Sequence, residues 1–463
     1  AIKKASELID MRKHKGEHPR MGATDVCPFI PVANVTMADC ISCAKKLGER
    51  VGNELQIPVY LYESAATQPE RKNLANVRAG EYEGIEQKLQ QPEWQPDFGK
   101  AVFNAKSGNC IIGARDFLVA FNVNLNTTSV RRANSIAFDV RENGRVDPSG
   151  QKDANGEPLT NINVTPVHIA FNEVNKSATK RGIRVTGSEL VGLIPLQCML
   201  DAGKYFLEQQ QRSIGVSDEE LIRIAIKSMG LDELADFNPE EKIVEYKLYG
   251  KERFGKLISM NLRAFANETA SESPAPGGGS IAAYVGSLGI SLATMVANLS
   301  SHKKGWDDRW KEFSDYAEKG QQLKDQLLKM VDEDTNAFNQ IMAAFALPKS
   351  NEEEKNNRKK AIQDATLNAI NIPYKVMELS LSSMEIIKAM ASIGNPNSVT
   401  DAGVGALCAR TAVIGAFLNV KINAGGLSDK AAAAQKIADG ELLVTQAENL
   451  EKEILAIVNS KIK

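Results

Sequence analysis

Near Leu257 the periodicity of the chain changes, and no other feature narrows the possible folds as much. Downstream, long segments rich in Ala, Leu, Met, Lys and Glu follow one another: 281–299, 310–342, 352–379, 384–393, 401–419 and 429–462. Proline is rare and strand-like alternation is absent, so this half predicts an all-helical bundle. Small residues crowd one stretch (Ala402, Gly403, Gly405, Ala406, Ala409, Ala412, Gly415, Ala416). They let helices approach closely, whether those helices belong to one chain or two. Upstream, strand and helix patterns alternate instead. Met37, Ile41, Ala44, Leu47, Val51 and Leu55 recur at helical spacing between apolar runs at 25–32 and 57–62 that read as strands. Further strands are predicted at 117–125, 159–164, 182–186 and 243–246, with helices over 130–140 and from Thr165-Pro166 onward. Ser217-Asp218-Glu219-Glu220 opens a helix as a capping box, and Gly230 closes it. Residues 63–95 read as a polar, Gln-rich passage, and 250–255 as a glycine-bounded linker. Alternation of this kind implies an α/β first half.

At 463 residues the chain is long enough for about two to four domains, each with its own core. Its 43% apolar and 25% charged content is that of a soluble globular protein. A net charge of −2 and no concentrated basic run argue against a nucleic-acid partner. Six cysteines in this length are too few for a disulfide framework, which points to a reducing, cytoplasmic compartment. Cys40 and Cys43 form a lone C-x-x-C, better read as packing than as half a metal site. The most apolar window, 281–296, is broken by Tyr284, glycines and serines and reads as a core helix, not a membrane span. The chain opens on Ala1 in mid-helix, which leads us to expect a segment upstream of it.

Four stretches carry candidate chemistry. The first is 13–23, where His14, Glu17 and His18 spell H-x-x-E-H, a zinc-peptidase signature. That chemistry needs both histidines on one helical face, and Gly16 and Pro19 oppose a helix there. A lone general acid–base at His18, or two exposed histidines without a role, are the other readings. The second is the loop 97–108, in which Lys100, Phe103 and Lys106 could hold a planar, carboxylate-bearing ligand or simply connect two elements. Arg115 beyond it offers a planar fork for a carboxylate, or a structural ion pair. The third is Pro276-Gly277-Gly278-Gly279-Ser280, where a nest of amides at a helix start would favour an anion and a flexible linker is the plain alternative. The fourth is Asp401, at the start of the small-residue helix, as cap, dipole partner or reactive carboxylate.

The wording around these residues resembles formiminotransferase-cyclodeaminases. Glu17-His18-Pro19-Arg20-Met21-Gly22-Ala23 and Asp25-Val26-Cys27-Pro28-Phe29-Ile30-Pro31 match the transferase half. Ala275-Pro276-Gly277-Gly278-Gly279-Ser280, Val331-Asp332-Glu333-Asp334-Thr335-Asn336-Ala337-Phe338, Leu347-Pro348-Lys349 and the N-x-x-S…D context of Asp401 match the cyclodeaminase half. The resemblance implies two ferredoxin-like α/β transferase subdomains followed by an all-α bundle, divided as 1–114, 115–250, a linker at 251–258, and 259–463. It implies transfer of a formimino group from N-formimino-L-glutamate to tetrahydrofolate, then cyclisation to 5,10-methenyltetrahydrofolate with release of ammonia, in histidine degradation. Catalysis would fall to His18 and Asp401. Folate binding would fall to Gly99, Lys100, Phe103, Asn104, Lys106, Ser107 and Gly108, and the cyclodeaminase pocket to Pro276–Ser280. Glu17, Arg20 and Arg115 are candidates for orienting substrate. Tetrahydrofolate with a polyglutamate tail would be the co-substrate, with no metal, no nucleic acid and no membrane, in a homo-octameric ring of dimers. A zinc hydrolase, a non-catalytic ring scaffold and an enzyme with one degenerate half are the alternatives. One departure stands out: relatives carry a segment with a G-W pair and a Q-V-S run before the counterpart of 159–164. Its absence suggests omitted residues with the numbering closed up between Pro158 and Leu159.

Overall fold

A computed structural model describes residues 1–15, 19–140, 166–250 and 255–462. It forms two compact units, 1–118 and 119–463. The expected strand at 159–164, the Pro158–Leu159 junction and most of the expected linker core lie outside the described residues.

The first unit is built on a three-stranded parallel sheet. In chain order it contains α1 (Ile2–Leu8), β1 (Val26–Phe29), α2 (Met37–Leu55), β2 (Val59–Glu63), the short helices α3 (Leu74–Arg78) and α4 (Ile85–Lys88), and β3 (Cys110–Ala114). The order across the sheet is β1-β3-β2, both pairings parallel. Thr36 and Asp39 cap α2 reciprocally, and its apolar stripe buries Cys40, Ala44 and Val51 against Val59, Leu61, Cys110 and Ile112. The central strand was not among the predicted ones. All five residues of β3 are buried, so no alternation of period two marks it. Residues 63–95 are likewise no loose polar passage. They fold into short helices that lay Val77, Ile85 and Leu89 over Tyr60, Tyr62 and Ile111 on the sheet's other face. Their polar residues work inside the layer. Arg71, fully buried, pairs with Asp97 at 2.8 Å. Lys88 donates to the carbonyls of Asn76, Val77 and Ala79 and lies 3.9 Å from the Trp94 ring centroid.

The second unit begins with β4 (Ala120–Leu125), α5 (Val130–Val140), α6 (Val167–Thr179), β5 (Val185–Val191), α7 (Leu196–Gln209), α8 (Asp218–Met229), α9 (Pro239–Lys242) and α10 (Val244–Tyr249). β4 and β5 pair antiparallel. Ser217 caps α8 by accepting from the Glu220 amide, and Gly230 ends it in the left-handed region, as the sequence predicts. The expected strand at 243–246 is instead one bridge, Ile194 to Ile243, followed by helix α10, because Ile243 already completes its pairing and nothing extends the ladder. β4 and β5 make a two-stranded sheet among the described residues, where the expected strand at 159–164 is not included, so the ferredoxin-like arrangement is not shown there.

After α11 (Leu262–Thr269) come the long helices: α12 (Gly278–Ser301), α13 (Trp310–Ala346), α14 (Glu352–Ile393), α15 (Val399–Ala424) and α16 (Lys430–Lys461). The first four pack in a ring, each against the next, and α16 lies in the groove between α14 and α15. Their common core runs from Ala283, Ile290 and Val296 through Phe313 and Leu327 to Ile387, Ala409 and Phe417. The loop after α7 is fixed to this bundle. Gly215 abuts Ala317 so closely that a Cβ would sit 2.3 Å from its carbonyl carbon. Asn298 and Gln321 both donate to the Gly215 carbonyl, at 2.8 and 3.2 Å.

Candidate active sites

In the first unit two predicted pieces converge at the amino-terminal end of the sheet. Gly22 bridges Gly108, the Ala23 amide donates to the Ser107 carbonyl, and the Asn109 amide donates to the Met21 carbonyl. Gly108 sits at φ +66, and a Cβ there would lie 2.1 Å from the Met21 carbonyl oxygen, so no side chain is tolerated. The segment leading into β1 is thus joined to the 99–108 loop by backbone alone. Asp25 secures it from below, accepting from the Met21 amide at 2.8 Å and pairing with Arg78.

Arg20 is the pivot of this corner. Its guanidinium donates to Glu81 at 3.2 Å, to Glu83 at 2.8 Å and to the His14 carbonyl at 3.1 Å. Glu83 foremost, with Glu81, holds the arginine more firmly protonated than usual. Glu81 adopts φ +51 and ψ −160, a region sparsely populated by residues with a Cβ and costing about 1–3 kcal/mol, and its carboxylate is paired with Arg20. Arg20 also lies over the Tyr82 ring, which in turn packs on Phe103 with centroids 5.5 Å apart. Phe103 of the loop is therefore one wall of a stacked row and not a free platform. Lys15, Arg20, Gly80, Glu81 and Glu83 line a pocket of about 470 Å³. Gly16, Glu17 and His18 lie outside the described residues. His14 and Lys15 are not helical, so the helical face required by a zinc reading of H-x-x-E-H is not present at His14.

The remaining loop residues divide by role. Asn104 accepts from the Ser107 amide and Lys106 donates to the Glu7 carbonyl, which holds the loop's own shape. Gly99, at φ +84, presses on Gly52, while Lys100 is exposed. Arg115 is not brought to this corner. It follows β3 at the carboxyl end of the sheet, its amide bonded to Phe29, and five residues of strand separate it from Asn109. Six steps at about 3.3 Å per residue make that roughly 20 Å. Sequence reasoning missed Glu81, Tyr82 and Glu83, and only the Gly80-Glu81 turn wording could have drawn attention to them.

In the bundle, the glycine run and the V-D-E-D motif meet. The absence of a side chain at Gly279 makes room for Asp334, whose Oδ1 would stand 2.1 Å from a Cβ there. Ser280 Oγ donates to the Val331 carbonyl at 2.8 Å and lies 3.2 Å from the Asp334 carboxylate. The anion that the glycine nest favours is therefore supplied by the chain itself. Burial, the largest influence, pushes the Asp334 carboxyl above its ordinary range, and the bonds from Ser280 work in the opposite sense. Asp332 accepts from the amides of Leu257 and Ile258 and so ties the entering chain to α13. Asn419, near the end of α15, lies 3.5 Å from where a Cβ on Gly278 would be. Pro276 follows a cis bond from Ala275, and Gly277 caps α12.

Asp401 stands elsewhere. It is in the first turn of α15, three residues after the N-cap Ser398, half-exposed, with no hydrogen bond or ion pair among the described residues. It is not an N-cap. α12 and α15 run antiparallel, since Gly278 adjoins Asn419, Gly286 adjoins Ala412 and Gly289 adjoins Gly405. Pro276–Ser280 and Asp401 are therefore at opposite ends of this pair. The eighteen residues from Asp401 to Asn419 span roughly 27 Å of helix. A cavity of about 670 Å³ between α13 and α14 is lined by Tyr316, Gln322, Glu385 and Lys388 among others and by none of the predicted site residues.

Three family descriptions match the chain in order. They are the N-terminal subdomain of the formiminotransferase domain over residues 1–115, the formiminotransferase domain over 151–249, and formiminotransferase-cyclodeaminase over 261–439. The chain is 39% identical over 445 residues to the formimidoyltransferase-cyclodeaminase of Rattus norvegicus, covering 93% of this chain and 82% of that one. Its first half is 42% identical over 221 residues to the glutamate formimidoyltransferase of Streptococcus pyogenes, which is 45% of this chain and 73% of that protein. A further 201 residues, 43% of this chain and 97% of the relative, are 35% identical to the methenyltetrahydrofolate cyclohydrolase of Methylorubrum extorquens. With both halves matched in sequence order and nearly the whole length aligned, the chain belongs to the formiminotransferase-cyclodeaminase family.

Proposed function

We propose that this chain performs two consecutive steps on one folate. In the first, N5 of tetrahydrofolate attacks the formimino carbon of N-formimino-L-glutamate and the bond from that carbon to the glutamate nitrogen breaks. In the second, N10 of the same folate attacks that carbon, the bond to the formimino nitrogen breaks, and ammonia leaves with 5,10-methenyltetrahydrofolate as product. The observation that carries this reading is the alignment of both halves with relatives named for both activities.

His18 takes the proton released from N5 and returns it to the departing glutamate amine. An imidazole, with an ordinary pKa of about 6.5, suits both transfers near neutrality. The match of Glu17-His18-Pro19-Arg20-Met21-Gly22-Ala23 to the transferase half supports this role. Arg20 and the Tyr82–Phe103 row position the segment, and Lys100 is free to meet a carboxylate. Asp401, unpaired and half-exposed, takes the proton from N10 and passes it towards the leaving ammonia. Domain limits at 114, 250 and 258, ferredoxin-like subdomains, a cytoplasmic location, a place in histidine breakdown and a homo-octameric assembly of dimers belong to the same proposal. A folate tethered by its polyglutamate tail would make the second encounter effectively intramolecular.

The test is methenyl-folate absorbance on the full-length protein, with either formiminoglutamate plus tetrahydrofolate or supplied 5-formiminotetrahydrofolate. His18→Ala should lose the first reaction by about a hundredfold or more and keep the second. Asp401→Ala should do the reverse and accumulate the formimino intermediate. Parent protein that forms neither intermediate nor chromophore would refute the reading. The Methylorubrum relative suggests a second reading for the bundle, hydrolysis of the methenyl compound; consumption of the chromophore instead of its formation would establish that.

A further inference from the structure

Lys88 is buried in the layer over the first unit's sheet, 6% exposed, with no ion pair among the described residues. Its ammonium turns all three N–H bonds to backbone. They reach the carbonyls of Asn76 at 3.1 Å, Val77 at 2.7 Å and Ala79 at 3.0 Å. These carbonyls end α3, and the chain turns sharply just beyond them. Gly80 stands at φ +88, and Glu81 follows at φ +51 and ψ −160. Successive residues in such conformations persist only where the chain is held on both sides.

On the far side, Arg20 pairs with Glu81 and Glu83. Between them the Tyr82 hydroxyl donates to the Ala105 carbonyl of the 99–108 loop at 2.5 Å. On the near side, Arg78 pairs with Asp25 and Lys88 grips the backbone itself. Gly80, Glu81 and Glu83 wall the pocket that Lys15 and Arg20 complete, and Lys88 stands behind that wall without lining the pocket.

We propose that Lys88 is a positioning residue of the transferase step, whose ammonium fixes the Gly80–Glu83 wall and, through Arg20, the chain that runs into β1. The proposal rests on the transferase reading of this corner. Protonation completes the grip. An ammonium has three donors for three carbonyls, whereas a neutral amine has two and turns a lone pair to the third oxygen. Deprotonation therefore breaks the grip at one point, and a misplacement of about 1 Å near a reacting group can cost a hundredfold in rate.

Burial foremost, then the charge of Arg71, brings the Lys88 ammonium down to about 8. Arg71 shares the Trp94 ring with it, its guanidinium carbon 5.7 Å from the centroid, and Asp97 is already paired with Arg71. Other charges on the packed elements turn elsewhere: Arg78 binds Asp25, and Glu86 and Glu93 are exposed. Burial pushes the Tyr60 and Tyr82 hydroxyls upward, away from this range. Lys88 is thus the group of this wall that loses its proton in mild alkali.

The test is kcat/KM for formimino transfer by the full-length protein across neutral to alkaline pH. Parent activity should fall about tenfold from pH 7 to pH 9, where about one such lysine in ten keeps its charge. Lys88→Met should lose about tenfold or more at pH 7 and then stay flat. Lys88→Arg, charged throughout, should recover part of that loss and show no fall near pH 8. Cyclisation of supplied 5-formiminotetrahydrofolate should match the parent in both variants. A parent flat to pH 9, a fall near pH 8 that persists in Lys88→Arg, or equal loss of cyclisation overturns the proposal. With Trp306→Phe and Trp310→Phe in place, Trp94 is the one indole left, and its ring lies 3.9 Å from the Lys88 nitrogen. Its fluorescence should shift with a midpoint near pH 8, and Lys88→Arg should abolish the shift. That shift in a protein without formimino transfer means that the transferase reading has failed while the pH-dependent grip stands; its absence overturns the grip.

Discussion

The two candidate sites are assembled in opposite ways. The transferase corner is made from pieces far apart in sequence, Met21–Ala23, Glu81–Glu83 and Phe103–Gly108, which a parallel sheet and its loops bring to one place. The bundle takes motifs that a rigid antiparallel pair holds roughly 27 Å apart. Loops at a sheet end can be drawn together by backbone bonds. Straight helices cannot bend their termini towards one another, so residues at opposite ends meet only through another molecule or act separately.

Breaking each assembly at its tightest contact sharpens the contrast. Gly108→Ala adds a Cβ in a left-handed backbone position against the Met21 carbonyl, and about 3 kcal/mol or more of destabilisation is expected. Denaturation should show an earlier transition for the first unit, and formimino transfer should vanish while cyclisation of supplied intermediate persists. Gly279→Ala should displace Asp334 from the start of α12 and cost about 1–3 kcal/mol, read as a lower melting temperature. Cyclisation, not transfer, should fall with it. An equal loss of both activities in either variant would mean the two regions are not independent.

Arg20→Met removes the partner of Glu81, whose backbone conformation is sparsely populated, and about 1–2 kcal/mol of destabilisation should follow. Arg20→Lys should recover only part of it, because an ammonium cannot engage Glu81, Glu83 and the His14 carbonyl in one plane. Identical behaviour of Lys and Arg would show that charge alone matters here.

The smallest effect concerns pH. The folded Asp334 carboxyl is raised by burial, so above the ordinary range near 3.8 the folded protein holds a proton that the unfolded chain has released. Its contribution to stability is present at low pH and is lost as pH rises through the folded value. Asp334→Asn should remove that slope, which urea unfolding of parent and variant across acidic to neutral pH would reveal. A steeper decline in the variant would reverse the sign and contradict the burial account.

Much of this was legible in the residues. The 3.6-residue stripes of α2 and α8, their caps, and the uncharged small-residue run of α15 depend on local spacing, which a sequence displays directly. β3 was illegible because a strand buried on both faces shows no alternation, and 63–95 misled because Arg71 and Lys88 satisfy their charges inside the layer. The motif wording identified the family and nominated His18 and Asp401.

What the sequence determined by itself is the set of local preferences: which stretches coil, which extend, and where glycine permits a close approach. Only the tertiary structure decided that Gly108 touches Met21, that the glycine nest is filled by Asp334, and that Asp401 lies at the far end of the helix pair from it. The reason is that such contacts depend on the direction in which one element crosses another, and direction is set by packing many residues at once.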